Sequence, residues 1–156
     1  MKNFQQKTAT VTPNKKMHAE SVRKYMARDL ITFTPNTEIH EVINTLLDHR
    51  ISGAPVLSET GELVGLIDDK DCLNVLIDSA YYNQPVSRNT VSQYMTNVMR
   101  TISVDADLVD VANTFVRTNF KRLLVVDDDG KLVGQVSRRD ILRAIRDMRS
   151  TTWHEG

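Results

Sequence analysis

Apolar residues run along the chain in two alternating rhythms. Ile39, Val42, Ile43, Leu46 and Leu47 recur at helical spacing and predict an amphipathic helix. Two continuous apolar runs of strand length follow, Ala54 to Leu57 and Leu63 to Ile67, with Thr60-Gly61 between them as hairpin chemistry. A second helical segment carries Leu73, Leu76 and Ile77, and ahead of the first helix Ile31 to Phe33 reads as a short strand. The same succession then returns. Thr101 to Ser103 is its short strand, and Leu108, Val111, Ala112, Phe115 and Val116 form its first helix face. Leu123 to Val126 and Leu132 to Val136 flank Asp129-Gly130, and Ile141, Leu142, Ile145 and Met148 close the series. The predicted order is β-α-β-β-α, twice.

The two series are one pattern repeated. Val22 to Ile77 aligns without a gap on Val91 to Arg146 at a constant offset of 69, matching Tyr25/Tyr94, Met26/Met95, Gly61/Gly130, Gly65/Gly134 and Asp71/Asp140. A unit of roughly 60 residues is marginal alone by surface-to-volume scaling, whereas two packed together share a core. The expected fold is α+β, with pseudo-symmetric units over 21–79 and 91–148. A linker over 80–90 contains Pro85, and polar tails cover 1–20 and 149–156.

Composition narrows the function. Lys plus Arg and Asp plus Glu each total 20, for a net charge of +0, so no global field draws the chain to nucleic acid or an anionic membrane. Hydrophobic residues at 40% against 26% charged place it in the globular class. The single Cys72 permits neither an intrachain disulfide nor a thiolate zinc pair, and it aligns with Ile141, a core position. No stretch has the character of a signal sequence or a membrane span, and a soluble, cytoplasmic protein is expected.

Catalytic and metal chemistries fail on spacing. His18, His40, His49 and His154 lack metal-ligand spacing and a nucleophile partner. Asp127, Asp129 and Gly130 imitate the middle of a calcium loop, but Val125 and Val136 occupy its first and closing positions. Gly130-Lys131 lacks the phosphate-loop spacing. No metal site is expected, and an unrecognised nucleotide hydrolase would need a base or nucleophile that no motif supplies.

The most informative segment is Gly134-Gln135-Val136-Ser137-Arg138-Arg139-Asp140, at a strand-to-helix junction. Ser followed three residues later by Asp is a capping box. The same pair suits a ligand: a hydroxyl beside unpaired helix N–H groups takes a phosphate, and a carboxylate one turn on accepts from a ribose diol. Gly65-Leu66-Ile67-Asp68-Asp69-Lys70-Asp71 is its counterpart, with Asp68 in place of the hydroxyl, a charge that repels phosphate. Arg139, Arg143 and Arg146 fall on one helix side and read as a solvated face, with Arg143 and Asp147 spaced for a pair. Arg138 opposes the helix dipole at the helix start, which a bound anion would offset.

With His49-Arg50-Ile51-Ser52-Gly53-Ala54-Pro55-Val56 and Phe120-Lys121-Arg122-Leu123-Leu124-Val125 entering strands, the tandem unit resembles a pair of CBS domains, a Bateman module, over about Ser21 to Met148. The departures are Gln135, polar where the family pattern is apolar, and the missing proline in the second strand entry. The resemblance implies crossed clefts that bind adenosyl compounds. Site one would combine Ser137, Asp140 and Arg138 with Met26, Asp29, Ile31, Ile51, Ser52, Gly53 and Ala54. Site two, weakened by Asp68, would combine Asp71 and Asp68 with Met99, Arg100, Lys121 and Arg122. The implied ligand is AMP, ADP or ATP, with NAD and S-adenosylmethionine presenting the same adenosine. The implied function is a non-catalytic sensor that changes conformation and regulates an unidentified partner. A homodimer through helix faces bearing Tyr25, Tyr94 or Met148 is also implied. The alternative is a dimerisation or scaffold module without effective ligand binding.

Overall fold

The computed structural model describes residues 20–82, 89–97 and 99–152, with side chains through Met148. A 3-10 turn at Val22–Lys24 opens it, followed by α1 (Ile39–His49), β1 (Gly53–Leu57), β2 (Leu63–Asp68) and α2 (Asp69–Tyr82). The second half contains α3 (Val91–Tyr94), β3 (Thr101–Ser103), α4 (Leu108–Arg117), β4 (Arg122–Val126), β5 (Leu132–Ser137) and α5 (Arg138–Thr152). β1 and β2 pair antiparallel, as do β4 and β5, around hairpin glycines with left-handed φ values of +88° at Gly61 and +80° at Gly130. β3 adds to β4 in parallel.

The halves differ at the short first strand. Ile31 to Phe33, expected as a strand, makes only an isolated bridge between Phe33 and Val56. The reason is Pro55. In the second half the Leu124 N–H donates to the Arg100 carbonyl at 3.2 Å. The equivalent residue of the first half, Pro55, has no N–H to give, so the ladder shortens. Two helices also outrun their expected ends. α2 continues to Tyr82, into the segment read as linker, and α5 to Thr152, through four positions read as tail. Linker positions 83–88 and the tail positions 1–19 and 153–156 lie outside the described residues.

The leading segment of each sequence repeat packs on the other repeat. Val22 and Met26 belong to the core of Leu108, Val111, Phe115, Leu123, Val125 and Val136, whereas Val91 belongs to that of Ile39, Val42, Leu46, Val56 and Ile67. Backbone bonds fix the exchange: Ala27 N–H to the Gln135 carbonyl at 2.8 Å and Gln135 N–H to the Ala27 carbonyl at 3.0 Å, with Leu66 and Thr96 exchanging a matching pair at 2.9 Å. The first glycine of each junction motif makes this possible. A Cβ at Gly134 would lie 2.8 Å from the Ala27 carbonyl oxygen, and one at Gly65 would lie 2.9 Å from that of Thr96. Both distances are too short for any other residue. The periodicity of either repeat carries no trace of this crossing, which delivers Asp29 and Ile31 to the start of α5.

Candidate functional site

The strand-to-helix junctions at β2-α2 and β5-α5 open onto two clefts. The first, about 530 Å³, is walled by Asp29, Ile31, Ile51, Ser52 and Gly53 from one half and by Arg122, Gln135, Ser137 and Arg139 from the other, with Ala27, Leu30, Arg50 and Pro55 completing it. Apolar and backbone surface at Ile31 and Ile51 thus faces a hydroxyl and two guanidiniums.

Beneath the first cleft lies a closed cap. The Asp140 carboxylate, buried, accepts from Ser137 N–H at 2.8 Å and from Ser137 Oγ at 3.1 Å, while Asp140 N–H donates to Ser137 Oγ at 3.3 Å. Its other oxygen takes the Arg143 guanidinium. Arg143 therefore pairs with Asp140 one turn back, and not with Asp147 as its spacing suggested.

Several sequence-predicted residues stand elsewhere. Arg138 turns away from the first cleft, donating to the Phe120 carbonyl at 3.4 Å and lining an apolar groove with Phe115, Ile141 and Ile145. Consecutive helix positions diverge by about 100°, so Arg139 takes the cleft side instead. Met26 is buried in the core against Gly134, and Ala54 is buried within β1. Neither forms a wall. The sequence reading missed Arg139, Gln135 and the arrival of Arg122 in this cleft. Helical phase was the available signal for Arg139; the other two depend on how the halves face each other.

The second cleft, about 200 Å³, is walled by Ser52, Leu66, Asp68, Asp69, Lys70, Asn119, Phe120, Lys121 and Arg122. Met99, Arg100 and Asp71 are not among its walls; Arg100 contributes a carbonyl to the sheet, and Asp71 lies behind Asp68 in the helix cap. Asp68 N–H donates to Asp71 Oδ2 at 3.1 Å and Asp71 N–H to Asp68 Oδ1 at 2.8 Å, so the cap of the first cleft is rebuilt from two carboxylates. Burial, reinforced by the Asp68 charge and opposed by the Asp68 N–H, pushes Asp71 up to about 6. Neighbouring Cys72 is half-buried and its thiol is pushed up to about 11, first by burial and then by Asp71, which leaves it a poor nucleophile. Among the described residues no three His, Cys, Asp or Glu side chains group to hold a metal ion, and no helix is long and apolar enough to cross a membrane.

The sequence model of the CBS domain matches residues 22–78 and again residues 91–147. The chain belongs to the CBS domain family. It is 32% identical over 126 residues to the uncharacterized protein MJ1225 of Methanocaldococcus jannaschii, covering 81% of this chain and 43% of that protein, so it spans less than half of that relative. Its structure resembles that of CBSX2 from Arabidopsis thaliana in complex with AMP, with a TM-score of 0.73 and 27% identity over 83% of this chain and 98% of that one. It also resembles the CBS domain pair of protein MJ0100 in complex with 5'-methylthioadenosine and S-adenosyl-L-methionine, with a TM-score of 0.68 and 28% identity over 83% and 98% of the two chains. The α+β tandem architecture expected from the repeat is that of a CBS pair.

Proposed function

We propose that this CBS pair is an adenosyl-ligand-sensing regulatory module without catalytic activity, and that the first cleft is its principal site. One observation carries the reading: the chain crossing at Ala27 and Gln135 brings Asp29, Ile31 and Ile51 opposite Ser137 and Arg139 in a single cleft. Ile31, Ile51 and the intervening backbone suit an adenine. Ser137 and the first N–H groups of α5 suit an α-phosphate. Asp140 is the ribose acceptor once a diol replaces its contact with Arg143. AMP, ADP and ATP are the favoured ligands, and NAD and S-adenosylmethionine share the adenosine. Relatives in complex with AMP and with S-adenosyl-L-methionine support that class.

Regulation follows from linkage. A ligand that contacts both halves favours the conformation in which those contacts coexist, and a partner protein that reads this conformation is coupled to ligand concentration. Calorimetry and thermal shift with the five ligands test the reading. Heat, and a midpoint rising as RT ln(1 + [L]/Kd) for at least one of them, are expected. Silence at millimolar concentration for all five would leave the scaffold reading instead. A half-buried single cysteine suits a reducing, cytoplasmic setting.

A homodimer belongs to the same proposal, through a different surface from the one expected. Tyr25 and Met148 pack on the core, and the Tyr94 hydroxyl donates to Asp78 at 2.8 Å and accepts from Asn89 at 2.7 Å, so none is a free face. Six of the exposed apolar residues instead form repeat-related pairs on the helices: Leu47 with Val116, Leu73 with Leu142, and Leu76 with Ile145, with Ile77, Tyr81 and Tyr82 exposed beside the first set on α2. Two matching patches suit a second copy of the chain. Light scattering should give twice 17.7 kDa, and a single-chain mass would reject the dimer.

A further inference from the structure

The repeat places Arg122 where the first half has Gly53, and the fold sets these two positions against each other. A Cβ at Gly53 would lie 2.5 Å from Arg122 Nη1 and 2.9 Å from the Ile67 carbonyl oxygen. Glycine on one side thus makes room for a guanidinium on the other, between the halves. Arg122 Nη2 donates to Ser52 Oγ, while Nη1 is buried and has no hydrogen-bond partner among the described residues. Arg122 and Ser52 are the two residues common to the walls of both clefts.

A buried guanidinium nitrogen without an acceptor is costly, and an anion is the acceptor that best relieves it. Burial works against its charged form and holds it below the ordinary guanidinium value, while the charges of Asp68 and Asp69 favour that form without providing the bond. Both clefts compete for this one group.

We propose that Arg122 is the phosphate-sensing residue of both clefts, and that sharing it couples them negatively for anionic ligands. This rests on the reading that the clefts take adenosyl ligands. A phosphate in the first cleft draws the guanidinium toward Ser137 and Arg139. The second cleft is then left with Lys70 and Lys121 against Asp68 and Asp69, and it holds a phosphate less well. A neutral nucleoside makes no such demand and leaves the two clefts independent.

Calorimetric titration of the full chain with AMP and with adenosine tests this, comparing the native protein, Arg122→Gln and Arg122→Met. The native protein should prefer AMP to adenosine about tenfold or more, in keeping with a charge-assisted bond. A second AMP should bind about tenfold or more weaker than the first, and saturating adenosine should show no such spread. Either variant should weaken AMP several-fold more than adenosine, the remaining preference being what Ser137 and the α5 N–H groups contribute, and should narrow the gap between any two AMP events to the part that Asp68 sets. Each variant removes the buried nitrogen that lacks a partner along with the single bond to Ser52, so both should fold, which the thermal midpoint checks. If both ligands bind and the AMP-to-adenosine ratio survives in the variants, the role of Arg122 is overturned and the proposed function stands. If neither ligand binds the native protein, the role of Arg122 falls, and the proposed function then stands or falls on the other ligands of the five.

Discussion

At the start of α5, Ser137 and Asp140 close a reciprocal cap; at the start of α2, Asp68 and Asp71 close the same loop with two carboxylates. Helix initiation asks only for acceptors three residues apart, and Ser or Asp serves equally. A ligand asks for more. The first junction faces three arginines, Arg50, Arg122 and Arg139, with Asp29 as the one carboxylate among the described wall residues. The second places Asp68 and Asp69 at the helix start itself, with Lys70, Lys121 and Arg122 around them. The backbone repeats while the electrostatics does not. One substitution at the cap and one across the axis turn two copies of a fold into two different sites.

The sharpest way to break the comparison is Asp140→Ala against Asp71→Ala. Asp140→Ala removes the cap acceptor, the partner of Arg143 and the proposed ribose acceptor together. Hydrogen bonds to a charged group are each worth about 1.5–3 kcal/mol, so nucleotide affinity at the first cleft should fall tenfold to over a hundredfold. Asp71→Ala should weaken binding far less. Calorimetry showing the reverse order would move the competent site to the second cleft.

Next in size is Gly134→Ala. Its Cβ meets the Ala27 carbonyl oxygen at 2.8 Å and Met26 Sδ at 2.7 Å, and backbone does not yield as a side-chain tip does. A destabilisation of about 1–3 kcal/mol is expected from overpacking, read as a lower denaturant midpoint. The strained segment carries Asp29 and Ile31, so first-cleft affinity should fall with it. Gly65→Ala, set against Met95 and Thr96, should cost similar stability and spare the first cleft. Equal losses of affinity in both variants would deny that the crossing builds that cleft.

Much of this was legible in the sequence. The offset of 69 gave the tandem plan, and helices and hairpins fall where apolar periodicity and Gly61 and Gly130 placed them. Pro55 was also visible, yet its effect needed a partner strand: only with Arg100 known to accept from Leu124 does a missing N–H at Pro55 explain a lost strand. Arg138 was read by its place near the helix dipole, but the phase of α5 hands the cleft to Arg139. The segment exchange, and Arg122 between the clefts, are long-range packing events. Local pattern holds no record of which neighbour a segment will choose.

Asp68→Thr sharpens the comparison from the other side. A carboxylate about 4 Å from a phosphate costs several kcal/mol at a near-surface effective dielectric, before salt screening reduces it. A hydroxyl has no such cost and keeps the cap to Asp71. The variant should therefore create or strengthen a second nucleotide-binding event by about tenfold. Two equal sites in the native protein, unchanged by the substitution, would show that Asp68 does not set the difference.

The smallest effect concerns the two-carboxylate cap itself and is read without any ligand. Asp71 is raised to about 6, chiefly by burial and then by the Asp68 charge, while the Asp68 N–H pulls the other way. In the unfolded chain it returns to the ordinary carboxylate value of 3.8. Between these values the folded protein holds a proton that the unfolded chain has released. Stability from this group is thus full below the unfolded value and is lost as pH rises through about 6. Asp71 is still partly open to solvent, so screening keeps the amplitude to about 1 kcal/mol. Asp71→Asn keeps an acceptor for Asp68 N–H and removes the titration. Relative to the native protein, its thermal midpoint should change little at pH 4 and rise as pH passes 6, because the native protein then carries two adjacent carboxylates where the variant carries one. A midpoint difference that stays flat from pH 4 to 7 would mean that Asp68 and Asp71 do not share a titrating cap.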